Sequence, residues 1–346
     1  MNSEKILSLI VPTYKAEKYL EKCLQSFLVK DMEIFKKLQV IVVNDGSPDQ
    51  SGEIAEKYME KYPEIYMLIN KENGGHGSGI NVGTKAACGK YMKVIDADDW
   101  VDTDELEIYI RKLQDCETDA VVTSFRTYDI STGNEQVYKV KGENKICNLS
   151  EIMEHWGNFD KCMTFHGITY RTEFYQKLNY ELIEKVFYED NEYATIPMSM
   201  AKTIATMQEC VYVYRIGDVN QSVSDESQVA RINDLKKVID KMLAFEKKYD
   251  TLSQGAREYW KKKTSMTVTS YYQVALLKNK EKREGRKLVG ELNQELEKRQ
   301  TVIYEDVHKK CKYFIFMSYF SISNAIYNRY KEQGIKVYRF TKHVKY

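Results

Sequence analysis

One stretch, residues 91–100 (Tyr-Met-Lys-Val-Ile-Asp-Ala-Asp-Asp-Trp), constrains the fold more than any other part of the chain. It begins as a strand, because Val94 and Ile95 favour a pleated, buried surface. It then breaks into three carboxylates, Asp96, Asp98 and Asp99. Unpaired charge at a buried strand end is costly, so a positive partner is expected there. Hard divalent cations that bridge substrate phosphates use one or two such carboxylates.

The same stretch also allows a plainer interpretation. A strand often ends in a turn that leads into a helix, and Asp102 or Asp104 would then accept hydrogen bonds from the first helical turn as its N-cap. Taken by itself, the acidic stretch does not decide between a metal site and a capped turn.

Apolar runs and helical periodicities alternate along the first two thirds of the chain. Strands are predicted at residues 6–11, 38–43, 64–69, 91–95, 120–125, 163–171 and 210–215. Helices are predicted at residues 19–27, 51–61 and 80–87, with turn-forming residues between the elements. Strands that alternate with helices at this spacing indicate an α/β fold, with a parallel sheet and helices on both faces.

Four polar or glycine-rich segments come directly after predicted strands. They are Tyr14, Asp45, the loop 73–79 (Asn-Gly-Gly-His-Gly-Ser-Gly) and the acidic residues 96–99. Ligands of such sheets bind in the crevice beyond the carboxyl ends of the strands. We therefore expect these four segments to meet at one edge of the sheet.

Composition argues against several classes of function. The 346-residue chain has a formal net charge of +1, which gives no support for nucleic-acid binding. Its 7 cysteines are scattered and match no zinc site, so they are expected to be reduced thiols in a cytoplasmic protein. We expect no signal peptide, and no apolar run reaches the roughly 20 residues of a transmembrane helix.

The order and spacing of several motifs resemble those of family 2 nucleotide-sugar glycosyltransferases of the bacterial polysaccharide-assembly type. The motifs are Pro12-Thr13-Tyr14, Asn44-Asp45-Gly46-Ser47, the loop 73–79, Asp96-Ala97-Asp98, Glu189-Asp190 and the Tyr-x-Tyr-Arg strand that ends at Arg215. The resemblance extends to about Ser224. It implies the inverting reaction and the GT-A fold, a Rossmann-like, mostly parallel mixed sheet with helices on both faces.

The resemblance implies a site for a UDP-sugar donor. Asp45 would accept a hydrogen bond from the uracil N–H, a role that suits a group that only accepts, and Tyr14 would lie near the base. Asp45 could instead shape its own turn, and Tyr14 could be an aromatic residue at the edge of the core. The other residues expected at the donor are Pro12, Thr13, Glu17, Lys71, Asn73, Gly74, His76, Asp96, Ala97, Arg215 and Ser222.

The glycine loop departs from the family pattern. Ile80 stands where an arginine usually helps to hold the donor. The missing charge would come from His76 and Lys71, or backbone N–H groups of the glycines would approach the diphosphate. His76 could equally have a structural role.

The resemblance also implies a metal and a catalytic base. Asp98 would bind Mn²⁺ or Mg²⁺ directly, with Asp96 toward the ribose or a metal-bound water, and the metal would offset charge on the departing UDP. Asp190 would remove the proton of the acceptor hydroxyl, with Glu189 supporting it. Both acids also suit a helix N-terminus, where the dipole favours negative charge, and the two roles are compatible.

The character of the chain changes after residue 225. Residues 1–225 are expected to form the catalytic domain, and residues 226–346 a helical domain that contacts acceptor, membrane or another subunit. From Lys309 onward the tail is basic and aromatic, and residues 313–320 suit a helix lying on an anionic membrane surface. The alternative is a helical domain that packs on the core or makes a homo-oligomer contact.

We therefore expect a metal-dependent, inverting enzyme that moves a hexose or N-acetylhexosamine from a UDP-sugar to a hydroxyl of a growing glycan, in the cytoplasm or at the inner face of the cell membrane. A lipid-linked polysaccharide precursor is the first expected acceptor and a glycoprotein the second. A nucleotidyltransferase with a similar sheet and a non-catalytic protein that retains the fold are the alternatives. The former would need a glycine-rich, basic loop after the first strand, which residues 12–16 do not supply.

Overall fold

The computed structural model describes residues 4–142, 145–218, 224–299 and 301–329. These residues fall into two compact units. The first is drawn from Met1–Val219 and Lys247–Trp260, and the second from Asn220–Glu246 and Lys261–Tyr346.

The first unit is built on a mixed sheet. Its described strands are β1 (Leu7–Thr13), β2 (Leu38–Asn44), β3 (Tyr66–Asn70), β4 (Tyr91–Val94), β5 (Trp100–Val101), β6 (Ala120–Asp129), β7 (Glu135–Tyr138), β8 (Lys145–Cys147), β9 (Ile168–Arg171) and β10 (Ile204–Ile216). Their spatial order is β3-β2-β1-β4-β9-β6-β10-β5, with β7 paired to β6 and β8 paired to β10.

The strand pairing creates a crevice for a ligand. β3, β2, β1 and β4 pair in parallel, as do β6 and β10, whereas β9 lies antiparallel between β4 and β6. From β1 the chain continues to β2 on one side and returns later to β4 on the other. A crevice therefore opens beyond the carboxyl ends of these strands. This sheet confirms the α/β architecture predicted from the sequence.

Short and medium helices flank the sheet. Those before residue 201 are α1 (Leu20–Gln25), α2 (Met32–Phe35), α3 (Ser51–Lys61), α4 (His76–Ala86), α5 (Thr103–Gln114), α6 (Leu149–Glu154), α7 (Thr172–Lys177) and α8 (Glu189–Met200). The Asp102 side chain accepts a hydrogen bond from the Glu105 N–H at 3.1 Å and caps α5. The capped-turn interpretation of the acidic stretch is thus correct for Asp102, and it leaves Asp96, Asp98 and Asp99 to be explained.

Several predicted boundaries were wrong, among them that of the strand predicted at 210–215, which begins already at Ile204 as β10. α4 begins at His76 rather than at residue 80, because Gly75 adopts a positive φ of 85° at the N-cap and turns the chain directly into the helix. The predicted strand 163–171 contains a 3₁₀ turn, Phe165–Gly167, so β9 begins only at Ile168.

The second unit is helical, as predicted. It contains α9 (Asp225–Ala230), α10 (Ile232–Ala244), α12 (Lys282–Lys298) and α13 (Tyr304–Tyr319), while α11 (Gln254–Gln273) has residues in both units and continues as a π-helical turn, Val274–Lys278. The apolar residues of α10 recur at helical spacing and are buried. Among the described helices, none is both long and apolar enough to span a bilayer. All seven cysteines lie in described segments as free thiols.

Candidate active site

The loops that follow the first four parallel strands meet at one edge of the sheet, as predicted. The Asp45 N–H donates to the Thr13 carbonyl at 2.9 Å, and the Lys71 N–H donates to the Asn44 carbonyl at 3.0 Å. The Ile95 N–H donates to the carbonyl of Ile10 at 2.9 Å, which fixes the start of the acidic stretch against β1.

Asp45 organises the glycine loop. Its carboxylate is buried and accepts hydrogen bonds from the backbone N–H of Gly74 at 2.9 Å and of Gly75 at 2.8 Å. The Lys71 ammonium lies 2.5 Å from the same carboxylate, and the Asn73 amide donates to the Asp45 carbonyl at 2.9 Å. Asp45 therefore bonds a loop almost thirty positions further along the chain, and not its own turn.

The donor residues predicted at the end of β1 and just after it differ in exposure. Pro12 and Thr13 are buried, whereas the Tyr14 ring is 48% exposed. Glu17 accepts a hydrogen bond from the Gln50 N–H at 3.1 Å, at the N-cap of α3. Ile80, at the position of the family's arginine, is fully buried in α4, so its side chain offers nothing to a donor.

Three carboxylates form a compact cluster beyond the end of β4. One oxygen from each of Asp96, Asp98 and Asp99 lies within 4.8 Å of the others. Asp99 is buried, and its oxygens accept hydrogen bonds from the Tyr212 hydroxyl at 2.6 Å and the Arg215 N–H at 2.8 Å. The side chains of Asp96 and Asp98 remain 30% and 42% exposed. Asp99 thus anchors the cluster, and the other two carboxylates face outward.

Arg215 orients Asp98. Its Nη2 lies 2.8 Å from a carboxylate oxygen of Asp98, and its Nε donates to the Asp98 carbonyl at 3.0 Å. Nη1 also donates to Asp218 at 3.1 Å, and the guanidinium lies over the ring of Tyr19 at 4.0 Å from the centroid. The predicted donor residue Arg215 is therefore a neighbour of the acidic cluster.

The cluster concentrates negative charge in a partly buried place. Burial raises the pKa of Asp98 and of Asp99, and the charge of Asp96 raises both further. Burial also opposes ionisation of Asp96, but the neighbouring His76 lowers the pKa of Asp96 below its usual value. A cation bound among these groups would relieve their repulsion.

The donor atoms suit a hard divalent cation. The cluster offers only carboxylate oxygens, which Mg²⁺ and Mn²⁺ prefer over softer ligands. Asp99 is occupied by Tyr212 and by the Arg215 backbone, so Asp96 and Asp98 are the residues that would hold the ion.

His76 lies between two acids. Its Nε2 is 3.0 Å from Asp96 Oδ1, and its Nδ1 is 2.6 Å from Glu189 Oε1. Burial disfavours the charged imidazole, but the two carboxylates outweigh it and raise the pKa of His76 well above its usual value. Lys71, the other predicted source of donor charge, is paired with Asp45.

Glu189 and Asp190 begin α8, as the helix-terminus interpretation predicted. Glu189 is buried against His76, whereas Asp190 is exposed and accepts a hydrogen bond from the Asn191 amide at 3.0 Å. After burial and the three acids of the cluster, the charge of Asp190 also raises the pKa of Tyr214. Asp190 directly follows Glu189, which His76 connects to Asp96 of the cluster.

Several neighbours of the site were not predicted. Tyr212 holds Asp99, and both Asp218 and Tyr19 hold Arg215. The alternating Tyr-x-Tyr-Arg strand was the only available signal for Tyr212. Ala97 is buried within the acidic stretch, and Ser222 lies outside the described residues.

The sequence model described as Glycosyl transferase family 2 matches residues 8–179. The chain belongs to this family. Glycosyltransferase GlyG of Streptococcus pneumoniae is 26% identical over 250 residues, which are 69% of this chain and 82% of that relative. The chain spans less than two thirds of the length of several other curated relatives that it matches, most of them also named glycosyltransferases.

Solved structures share the fold of this family 2 chain. S. aureus TarS residues 1–349 in complex with UDP-GlcNAc matches with a TM-score of 0.52 at 18% identity, over 78% of this chain and 83% of that one. Mannosyltransferase PcManGT from Pyrobaculum calidifontis, in complex with GDP-Man and Mn²⁺, matches with a TM-score of 0.54 at 16% identity, over 91% of this chain and 86% of that one. These likenesses confirm the predicted GT-A fold.

Proposed function

We propose that this glycosyltransferase moves a hexose or N-acetylhexosamine from a UDP-sugar to a hydroxyl of a growing glycan, with a divalent metal and with inversion at the anomeric carbon. The observation that carries the proposal is the acidic cluster beyond β4. His76, at the end of the loop that Asp45 holds, contacts both Asp96 of this cluster and Glu189 of the acid pair that begins α8. Donor, metal and base are the three parts that the reaction needs, and this arrangement supports all three.

The donor side would bind UDP through the Asp45 loop. A carboxylate has about four acceptor positions, and Asp45 uses three of them on Gly74, Gly75 and Lys71. The remaining position would accept a hydrogen bond from the uracil N–H, and the exposed Tyr14 ring would lie near the base. TarS, which shares the fold, is in complex with UDP-GlcNAc, and this supports a uridine donor for this chain. The remaining donor contacts proposed are Pro12, Thr13, Glu17, Asn73, Ala97, Arg215 and Ser222.

Asp98 and Asp96 would hold Mn²⁺ or Mg²⁺, as the Mn²⁺ complex of PcManGT supports. A bound divalent ion supplies Lewis-acid stabilisation of the departing UDP. The residues of this chain orient the ligands: Arg215 holds Asp98, and His76 holds Asp96. The hydrogen bond that buried Asp99 accepts from the Tyr212 hydroxyl keeps the acidic stretch in place.

Asp190 would act as the general base. Its exposed carboxylate takes the proton of the acceptor hydroxyl while the hydroxyl oxygen forms a bond to the anomeric carbon. The bond from that carbon to the UDP oxygen breaks at the same time, and the electron pair leaves with UDP. Attack from the side opposite the leaving group inverts the anomeric configuration.

The second unit supports a membrane-associated acceptor. Tyr313, Phe316 and the C-cap residue Phe320 are 55%, 61% and 65% exposed. With Lys309 and Lys312 they recur at three- to four-residue spacing along one face of α13 and its C-cap. Aromatic rings beside lysines are typical of a helix that lies on an anionic bilayer surface. The proposed location is therefore the inner face of the cell membrane, with a lipid-linked glycan as acceptor and a glycoprotein as the alternative.

Turnover of nucleotide sugars tests the reaction. The purified protein with Mn²⁺ is expected to release UDP from at least one of UDP-Glc, UDP-Gal, UDP-GlcNAc and UDP-GalNAc, with water as the acceptor. Asp190→Asn is expected to lower this rate by about 10²–10⁴-fold without loss of UDP binding, because the base is removed and the donor site is intact.

Asp115→Asn, an exposed acid at the end of α5, is the matched control and should retain the full rate. Undiminished turnover in Asp190→Asn would contradict the assignment of Asp190 as the general base. Release of pyrophosphate from UTP and a sugar 1-phosphate would favour a nucleotidyltransferase instead.

A further inference from the structure

Three segments that lie far apart in sequence converge on the imidazole of His76. The ring belongs to the first residue of α4, and it contacts Asp96 beyond the end of β4 and Glu189 at the start of α8. The two contacts use the two ring nitrogens, at 3.0 Å and 2.6 Å. The Phe165 ring packs nearby, with its centroid 6.0 Å from that of the imidazole.

The backbone around His76 is built for this close approach. A Cβ at Gly77 would lie 2.5 Å from the Ile183 carbonyl oxygen and 3.3 Å from Glu189 Cγ. The Lys185 N–H donates to the Gly74 carbonyl at 2.9 Å, which ties the glycine loop to the segment before α8. The glycine at 77 thus lets the first turn of α4 pack against the segment that leads to Glu189.

The occupancy of both nitrogens argues against a direct contact with the diphosphate. Each ring nitrogen of His76 already has a carboxylate partner, so neither is left for a phosphate oxygen. His76 therefore acts on the reaction through its partners, and Ile80, buried one turn further along α4, does not supply the arginine's charge either.

We propose that His76 is a positioning residue that orients Asp96 on the donor side and Glu189 on the acceptor side through one imidazole ring. Through Asp96 it would set the ligand geometry for the metal and UDP. Through Glu189 it would set the first turn of α8, and with it the adjacent Asp190. This inference rests on the proposed function, because both partners take their roles from it.

Two amide substitutions separate the two contacts. The amide nitrogen of glutamine occupies roughly the place of Nε2, so His76→Gln keeps a donor for Asp96 and loses Glu189. The amide nitrogen of asparagine occupies roughly the place of Nδ1, so His76→Asn keeps a donor for Glu189 and loses Asp96. Exposed His155 gives the matched controls, His155→Gln and His155→Asn.

The readouts are the Kd of UDP with Mn²⁺ by calorimetry, kcat for UDP release, and the melting temperature. Loss of a group that orients a metal ligand typically costs 10–100-fold, so His76→Asn is expected to raise the Kd of UDP about 10–100-fold. His76→Gln is expected to lower kcat by a similar factor of about 10–100 while the Kd of UDP stays at the wild-type value. The His155 variants should match the wild type in all three readouts.

Some outcomes would overturn the inference. If both variants only lower the melting temperature, with wild-type Kd and kcat, His76 is merely structural. If both variants change Kd and kcat alike, the contacts of His76 with Asp96 and with Glu189 do not have separate effects on UDP binding and turnover. Should His76→Asn fail to fold, His76→Gln still decides through its separate effects on kcat and Kd. A wild-type protein that does not bind UDP would instead contradict the proposed function, which is a distinguishable result.

Discussion

At the scale of single residues, buried charges in the first unit are oriented by backbone groups. Asp45 accepts from two loop N–H groups, and Asp99 accepts from the Arg215 N–H. Lys93 donates to the carbonyls of His166 and Ile168 at 2.7 Å and 3.2 Å. Hydrogen bonds from or to a charged group are stronger than neutral ones, so these side chains are held in place by the fold itself.

Lys93 makes stability depend on pH. It is fully buried in β4, and burial lowers its pKa from 10.5 to about 7. Between these values the unfolded chain binds one more proton than the folded chain, so the contribution of Lys93 to the free energy of unfolding rises with pH. The slope is up to about 1.4 kcal/mol per pH unit.

Urea unfolding of the wild type and Lys93→Met at about pH 7.5 and about pH 9 measures this slope. The wild-type stability minus the variant stability is expected to increase by about 1–2 kcal/mol over that range. Lys57→Met, at an exposed lysine, is the control and should leave the difference constant. A constant difference for Lys93→Met as well would mean that Lys93 keeps its ordinary pKa.

At the scale of elements, the close packing of α4 against the segment before α8 sets the site. Gly77→Ala would bring a Cβ to 2.5 Å from a backbone oxygen, so one of the two segments must move. Such overpacking typically costs about 1–3 kcal/mol, and the shift should also reduce UDP release.

Gly290→Ala is the matched control, because its Cβ would meet nothing within 4 Å in the interior of α12. It is expected to raise the free energy of unfolding by about 0.5–1 kcal/mol through helix propensity. Denaturant unfolding measures both variants. A Gly77→Ala protein as stable and active as the wild type would show that the close packing of α4 against the segment before α8 is not needed for stability or activity.

Local patterns predicted most central strands but not every element. The apolar runs placed β1, β2 and β6 because buried parallel strands are nearly continuous in apolar residues. β7 and β8 escaped prediction because most of their residues are exposed and carry no such run. The start of α4 was predicted too far along the chain, because glycines lower helix propensity. In the structure Gly75 forms the N-cap of this helix.

Predicted site residues were recovered where the topology alone brings them together. Asp45, the glycine loop and the acidic stretch all follow parallel strands, so their meeting could be inferred. The bond between Asp99 and Arg215 joins positions 116 apart, and no local pattern indicates it. The hydrogen bond between His76 and Glu189 could not be predicted for the same reason, because it joins positions 113 apart.

At the scale of the whole molecule, the first unit contains all the described candidate catalytic and donor residues. We retain residues 1–225 as the proposed catalytic domain and residues 226–346 as the proposed contact domain. The chain is nearly neutral overall, with a formal net charge of +1, and α13 carries exposed lysines at Lys309, Lys310 and Lys312 beside the exposed acids Glu305 and Asp306 of its first turn. Any attraction to anionic lipid would come from the lysines of α13 and weaken with salt.

Vesicle sedimentation tests the membrane contact. The protein is expected to sediment with phosphatidylglycerol vesicles but not with phosphatidylcholine vesicles, and Phe316→Ser with Phe320→Ser should abolish it because the inserted rings are lost. Met67→Ser with Ile108→Ser is the control pair, since these side chains are 42% and 46% exposed in the first unit. Equal loss in the control pair, or no sedimentation of the wild type, would contradict the membrane proposal.

The most direct test of the whole account is calorimetry of UDP binding with Mn²⁺ and with EDTA. We expect wild-type protein to bind UDP only when the metal is present. Asp98→Ala should lose this binding, because it removes the most exposed carboxylate of the cluster. Asp115→Ala, the control at an exposed acid, should retain it. UDP binding that is unchanged by EDTA or by Asp98→Ala, or that is absent in every condition, would contradict a metal-dependent UDP-sugar site.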